Sequence, residues 1–170
     1  YACGRAVLRR AADLEVPPAP TTLSLCLVRP QESALAWIGM GDSHLFHVGP
    51  DSVEELGWAS LGRKDRYFVG YEAASHEGMR ERSLAGYRAL GDTRALVLAT
   101  DGLSEEGIGV RDPGGAVLDA VRASEECPRE LRPVELARAL SQTAMDAHAS
   151  QRAGDNIGCA VLDLRGTDSA

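Results

Sequence analysis

The chain has 170 residues, 18 Lys and Arg against 25 Asp and Glu, and a formal net charge of −7. That length suits one domain, and 44% hydrophobic with 25% charged residues excludes a disordered or collagen-like chain. An acidic chain without a basic stripe is not expected to bind nucleic acid, and the densest basic stretch, Arg63, Lys64 and Arg66, is interrupted by Asp65. No apolar run reaches the roughly 18 to 20 residues of a membrane span. The first residues lack the pattern of a secretory signal, so a soluble, cytoplasmic protein is expected. The sequence opens Tyr1-Ala2-Cys3-Gly4 with no initiator Met and is expected to be part of a longer product. Cys3, Cys26, Cys127 and Cys159 show no paired spacing and are expected to be reduced, mostly buried thiols.

Residues 2–14 set Val7, Ala11 and Leu14 at helical spacing before Pro17 and Pro18, which predicts a helix with one buried stripe. TTLSLCLV (21–28) and SALAWIGM (33–40) predict two neighbouring strands joined by a turn. HLFHV (44–48) predicts a further strand, with Gly41-Asp42 at the tip of a hairpin. Residues 51–94 show no steady period and are expected to be irregular. ALVLA (95–99) predicts a buried strand. Helices are predicted from about 115 to 123 and from about 133 to 148, the second with Leu136, Leu140, Ala144 and Ala147 on one face. IGCAVL (157–162) predicts the last strand, and a polar tail follows. Hairpin strands segregated from helices favour an α+β fold with antiparallel sheets.

Three carboxylates stand at the ends of apolar strands: Asp42 after 33–40, Asp101 after 95–99 and Asp155 before 157–162, each beside a glycine. Gly-Asp and Asp-Gly are common turn pairs, so any one of them is ordinary. If the three strands lie side by side, the three carboxylates meet at one rim. An all-oxygen cluster suits Mg²⁺ or Mn²⁺, which can acidify a bound water and screen a phosphate. The four histidines have no mutual spacing that suggests a metal cluster, and His148 fits a helix C-terminus, where the dipole favours it. Ser43 has no activating partner in the sequence, and Trp37 and Trp58 read as packing residues.

The flanks of the three turns, IGMGDS (38–43), LATDGLSE (98–105) and AGDNIG (153–158), resemble in order and spacing the later motifs of the PP2C-type (PPM) metal-dependent protein serine/threonine phosphatases. Thr21-Thr22 is similar to that family's Gly-Thr-Thr segment, with Gly replaced. The resemblance runs from about residue 4 to residue 164. It implies a sandwich of two antiparallel β-sheets flanked by helices, in a single domain over 1–170 with a variable flap at 51–94 and a tail at 166–170. It also implies hydrolysis of phosphoserine and phosphothreonine in a protein substrate by a metal-bound hydroxide. Asp101 and Asp155 would hold the two Mn²⁺ or Mg²⁺ ions and Asp42 a third, weaker one, with no catalytic residue beyond these ligands. Glu105, four positions after Asp101, would lie beside the metals or be solvated. The family's early Arg and Asp-Gly-x-Gly-Gly motifs have no counterpart in the sequence; Asp112-Pro-Gly-Gly115 comes too late and reads as a helix start. The alternative is a phosphatase-like binding or regulatory module without catalysis. A related bacterial branch acting on anti-sigma-factor antagonists shares the chemistry and differs in partner.

Overall fold

In the computed structural model the described residues are 2–17, 19, 21–57, 80–81 and 83–166, with side chains from Arg5 onward. The remainder, which includes Trp58, His76, most of the expected flap and the end of the tail, lies outside the described residues. The fold is α+β, with two antiparallel sheets and flanking helices. Contacts divide the chain into two compact units, Tyr1–Ser43 with Gly57–Ala89, and His44–Leu56 with Leu90–Ala170.

The first unit opens with helix α1 (Ala2–Asp13). Of its expected stripe, Ala11 is buried and Val7 half-buried, whereas Leu14 lies beyond the helix and is exposed. Strands β1 (Leu23–Arg29) and β2 (Ala34–Met40) pair antiparallel through the 3₁₀ turn Pro30–Glu32, as their sequences predict. Strand β5 (Leu84–Ala89), which falls in the stretch expected to be irregular, pairs with the other side of β2. Trp37 faces Gly86 in that register, where any Cβ would lie 2.3 Å from its ring, and Arg88 sits 5.6 Å over the ring centre. Trp37 is thus a packing residue, as its sequence suggests.

The expected hairpin at Gly41-Asp42 does not form. Strand β3 (His44–Val48) belongs to the other sheet, because both sides of β2 are already occupied by β1 and β5. Gly41, at φ +95°, turns the chain out of β2 at a point where a side chain would strike Thr22. Ser43 then donates to the Thr22 hydroxyl at 2.8 Å, tying the turn to the start of β1.

The second unit holds a four-stranded sheet in the order β4-β3-β6-β7, with β4 at Val53–Glu55, β6 at Ala95–Ala99 and β7 at Cys159–Asp163. Helix α2 (Pro113–Ser124) starts where Asp112 accepts from the Gly115 N–H at 2.9 Å, so Asp112-Pro-Gly-Gly115 is the helix start expected of it. Helix α3 (Arg132–Gln151) is longer than expected at its C-terminal end. Val117, Ala120 and Val121 of α2 and Leu136, Leu140 and Ala144 of α3 pack with Phe46, Val48, Val97, Ala99 and Leu103 in one apolar core. The continuous apolar run of β6 reflects that burial. Cys26, Cys127 and Cys159 are free and half-buried rather than fully buried, and burial pushes the Cys26 and Cys159 thiols up to about 11, which leaves them poor nucleophiles at neutral pH. Among the described residues no helix is long and apolar enough to cross a membrane.

At the far end of β7, Arg165 grips Asp163 through three nitrogen-oxygen contacts of 2.6 to 3.1 Å and also donates to the Val121 carbonyl and the Ser124 hydroxyl. Both side chains are less than a tenth exposed. Burial alone would raise the Asp163 carboxyl, but hydrogen bonds and the charge of Arg165 hold it below its ordinary value of 3.8. A lowered folded value means that the pair's contribution is complete above the ordinary value and fades as pH falls through the folded one. Arg165→Met is therefore expected to cost about 3 kcal/mol at neutral pH, by leaving a buried carboxylate unpaired, and much less in strong acid. Urea unfolding of both proteins at the two pH values measures the difference.

Candidate metal centre

Strands β6 and β7 are neighbours, with Ala99 opposite Cys159, so the turn that leaves β6 and the loop that enters β7 lie at one rim of the sheet. Asp101 opens the 3₁₀ turn Asp101–Leu103, and Asp155 lies in the loop between α3 and β7. Together with Glu105 they offer one carboxylate oxygen each, all within 4.8 Å of one another. Asp101 and Glu105 are half-buried and Asp155 exposed.

Sequence reasoning brings two of its three aspartates together. The third, Asp42, follows β2, which belongs to the first unit's sheet, so the three strands expected side by side lie in two sheets. The third carboxylate of the cluster is Glu105, and the sequence had left its position open between the metals and solvent.

Two turns of the backbone are knitted around the cluster. The Thr100 N–H donates to the Gly158 carbonyl, the Gly158 N–H donates back to the Thr100 hydroxyl, and that hydroxyl donates to the Asn156 carbonyl, each at 3.0 Å. Gly102 lies directly against the same carbonyl: a Cβ there would be 2.3 Å from the Asn156 oxygen. The glycine after Asp101 is thus required by close approach of the second loop. Within that loop the Asn156 N–H donates to Asp155 Oδ1 at 2.7 Å.

Two buried histidines, neither singled out from sequence as part of the site, hold the first turn. His148 lies in the last turn of α3, as its sequence suggests, and is buried there, with its Nε2 2.7 Å from the Gly102 carbonyl. A carbonyl only accepts, so Nε2 carries the proton and Nδ1 is free to accept from the Asp155 N–H, 3.4 Å away. The signal was present in the sequence, since Leu136, Leu140, Ala144 and His148 continue one buried row at a spacing of four. His44, buried and stacked on Phe46, has Nδ1 at 2.8 Å from Glu55 and Nε2 at 2.7 Å from the Ser104 hydroxyl. Glu55 also accepts from the Leu45 N–H at 3.0 Å. Ser104, His44 and Glu55 thus form a relay of the sort that activates serine nucleophiles. Ser104, however, lies between Asp101 and Glu105 in the chain, whose negative charge opposes an oxyanion, and its own N–H is bonded to the Asp101 carbonyl. The relay anchors the acidic turn.

The donor set fits a hard divalent cation. It is all carboxylate, and three like charges so close together repel unless a cation lies among them. Asp101 and Glu105 have no side-chain hydrogen bond or ion pair among the described residues, so their oxygens are open to a ligand.

No family model matches the sequence, and no curated protein matches it either. Solved structures do. The serine/threonine phosphatase PstP/Ppp of Mycobacterium tuberculosis aligns with a TM-score of 0.65 at 18% identity, over 95% of this chain and 67% of that one. The serine-threonine phosphatase 2C of Toxoplasma gondii gives 0.65 at 14% identity, over 93% of this chain and 62% of that one. The fold is that of the PP2C-type phosphatases. A C. elegans sex determining protein shares it, with a TM-score of 0.69 at 15% identity over 95% of this chain and 44% of that one. The chain spans between 44% and 67% of the length of these three proteins.

Gly102→Ala would drive a methyl group into the Asn156 carbonyl. The expected result is a loss of about 1–3 kcal/mol in thermal or urea unfolding, because backbone on both sides must move apart.

Proposed function

We propose that the chain is part of a metal-dependent phosphoprotein phosphatase of the PP2C type, acting in the cytoplasm on phosphoserine or phosphothreonine in a protein substrate. The observation that carries this reading is the convergence of Asp101, Glu105 and Asp155 at one sheet rim in a chain with the PP2C-type fold. Asp101 and Asp155 are the residues that the sequence resemblance also assigns to metal, and Glu105 completes the cluster.

In this reading Asp101, Glu105 and Asp155 hold Mn²⁺ or Mg²⁺, two ions in the resemblance, with Asp42 assigned to a third. Such ions, when bound, supply an acidified water and charge screening for the phosphate. The chain's own residues supply the placement. Thr100 and Gly102 hold the two loops in contact, so the carboxylates are set before any ligand arrives. Asp155 at the exposed edge leaves the cluster open on one side, where a phosphoryl group on a protein surface can reach it.

The test is Mn²⁺-dependent hydrolysis of a phosphopeptide by the full chain. Asp101→Asn and Asp155→Asn are each expected to lower kcat/KM on the order of a hundredfold or more. Unchanged turnover in both variants sinks the reading. Mn²⁺ binding without hydrolysis, in a chain that still binds a phosphoprotein, favours a binding or regulatory module instead.

A further inference from the structure

We infer that His148 is a positioning residue of the acidic cluster, joining its two halves through the backbone. The role rests on the metal reading above and adds to it a residue with no carboxylate and no contact with phosphate.

The two halves belong to segments fifty or more residues apart, and each carries a ligand that like-charge repulsion pushes away from the other. His148 bonds to both. From the last turn of α3, its Nε2–H reaches the carbonyl of Gly102, the residue next to Asp101, and its Nδ1 faces the N–H of Asp155 itself. The ring is 4% exposed, so water does not readily replace either partner. Its own position is fixed by the packing of α3: Leu136, Leu140 and Ala144, which precede it along the same row, are all in the core. A rigid helix is thereby coupled to two loops at the point where their carboxylates meet. A phenylalanine of similar size would keep the packing and lose both bonds. A glutamine places an amide N–H near the position of Nε2 and can keep the bond to Gly102.

The experiment compares the wild type, His148→Phe, His148→Gln and Asp155→Asn by Mn²⁺ titration calorimetry, by thermal melting without metal, and by ¹⁵N imidazole NMR of the wild type. The expected result is a wild-type His148 ring protonated at Nε2 and Mn²⁺ binding that is weakened roughly tenfold to a hundredfold in His148→Phe. His148→Gln is expected to recover most of that loss. Recovery separates positioning from packing, because a merely structural role would follow the melting temperature and not the hydrogen bond. Should His148→Phe not fold, His148→Asn, which keeps an acceptor near Nδ1 and loses the donor to Gly102, takes its place and is expected to bind Mn²⁺ as weakly. Wild-type affinity in a folded His148→Phe or His148→Asn, with binding lost in Asp155→Asn, overturns the role of His148 and leaves the metal reading standing. Absence of Mn²⁺ binding by the wild type overturns both.

Discussion

Asp101, Glu105 and Asp155 present oxygens within 4.8 Å of one another, and a peptide left to itself would relax such an arrangement by moving its loops apart. The second unit is arranged so that this relaxation is blocked. The Asp101 turn is fixed to the Asp155 loop by the Thr100 hydroxyl, which is both donor and acceptor, and by a glycine that lets two backbones approach to a distance no side chain would permit. Behind them the β6 and β7 ladder holds the strand ends in register, and α2 and α3 bury the face of that sheet. The apolar core is therefore what holds the repulsion in place: hydrophobic burial keeps the strands adjacent, and adjacency keeps the carboxylates close.

The types of residue that do the holding matter as much as their positions. A lysine or arginine beside the cluster would cancel the field that attracts a cation, whereas hydroxyls, backbone amides and an imidazole bonded to a carbonyl do not. His44 is the apparent exception. Its Nδ1 is engaged with the carboxylate of Glu55, which is half-buried, and its Nε2 meets the acidic turn through the Ser104 hydroxyl.

The sequence resolved local matters well and non-local ones unevenly. Continuous apolar runs such as 95–99 announce buried strands because burial on both faces removes the need for alternation, and Asp112 with Pro113 marks the start of α2 by local chemistry alone. Strand β5 was hidden because LAGYRA has a glycine at its centre and an exposed Tyr87, so its pattern is weak; what makes it a strand is the free side of β2 and the Trp37 ring over Gly86. Gly41-Asp42 carries a genuine turn signal, but a turn says that the chain bends and not which strand it meets next. That decision lies in pairing already made by β1 and β5, and it is why Asp42 follows a strand of a different sheet from the strands that flank Asp101 and Asp155. At the site, carboxylates beside strand ends were legible because they lie where a sheet rim must be. His148 was not, because helical spacing identifies its face but not the carbonyl that covers it.

Charge placement along β7 brings these threads together. The strand, which spans roughly 14 Å at the usual rise per residue, has an acidic residue toward each end, Asp155 four residues before it and Asp163 at its last position. Asp163 is buried and answered by Arg165, whose Nη1 and Nη2 also donate to the Val121 carbonyl and the Ser124 hydroxyl of α2, so this end has its charge neutralised and serves the fold. Asp155 is exposed and meets no cation among the described residues, only the N–H of Asn156 and, through its own backbone, His148. One five-residue strand thus separates a compensated carboxylate from an uncompensated one. The distinction cannot arise from the carboxyl groups, which are chemically the same; it arises from the guanidinium two residues beyond Asp163 and from neutral anchors around Asp155. One rim of the sheet thus carries a neutralised carboxylate, while the other carries Asp101, Glu105 and Asp155, which contribute to the chain's net charge of −7.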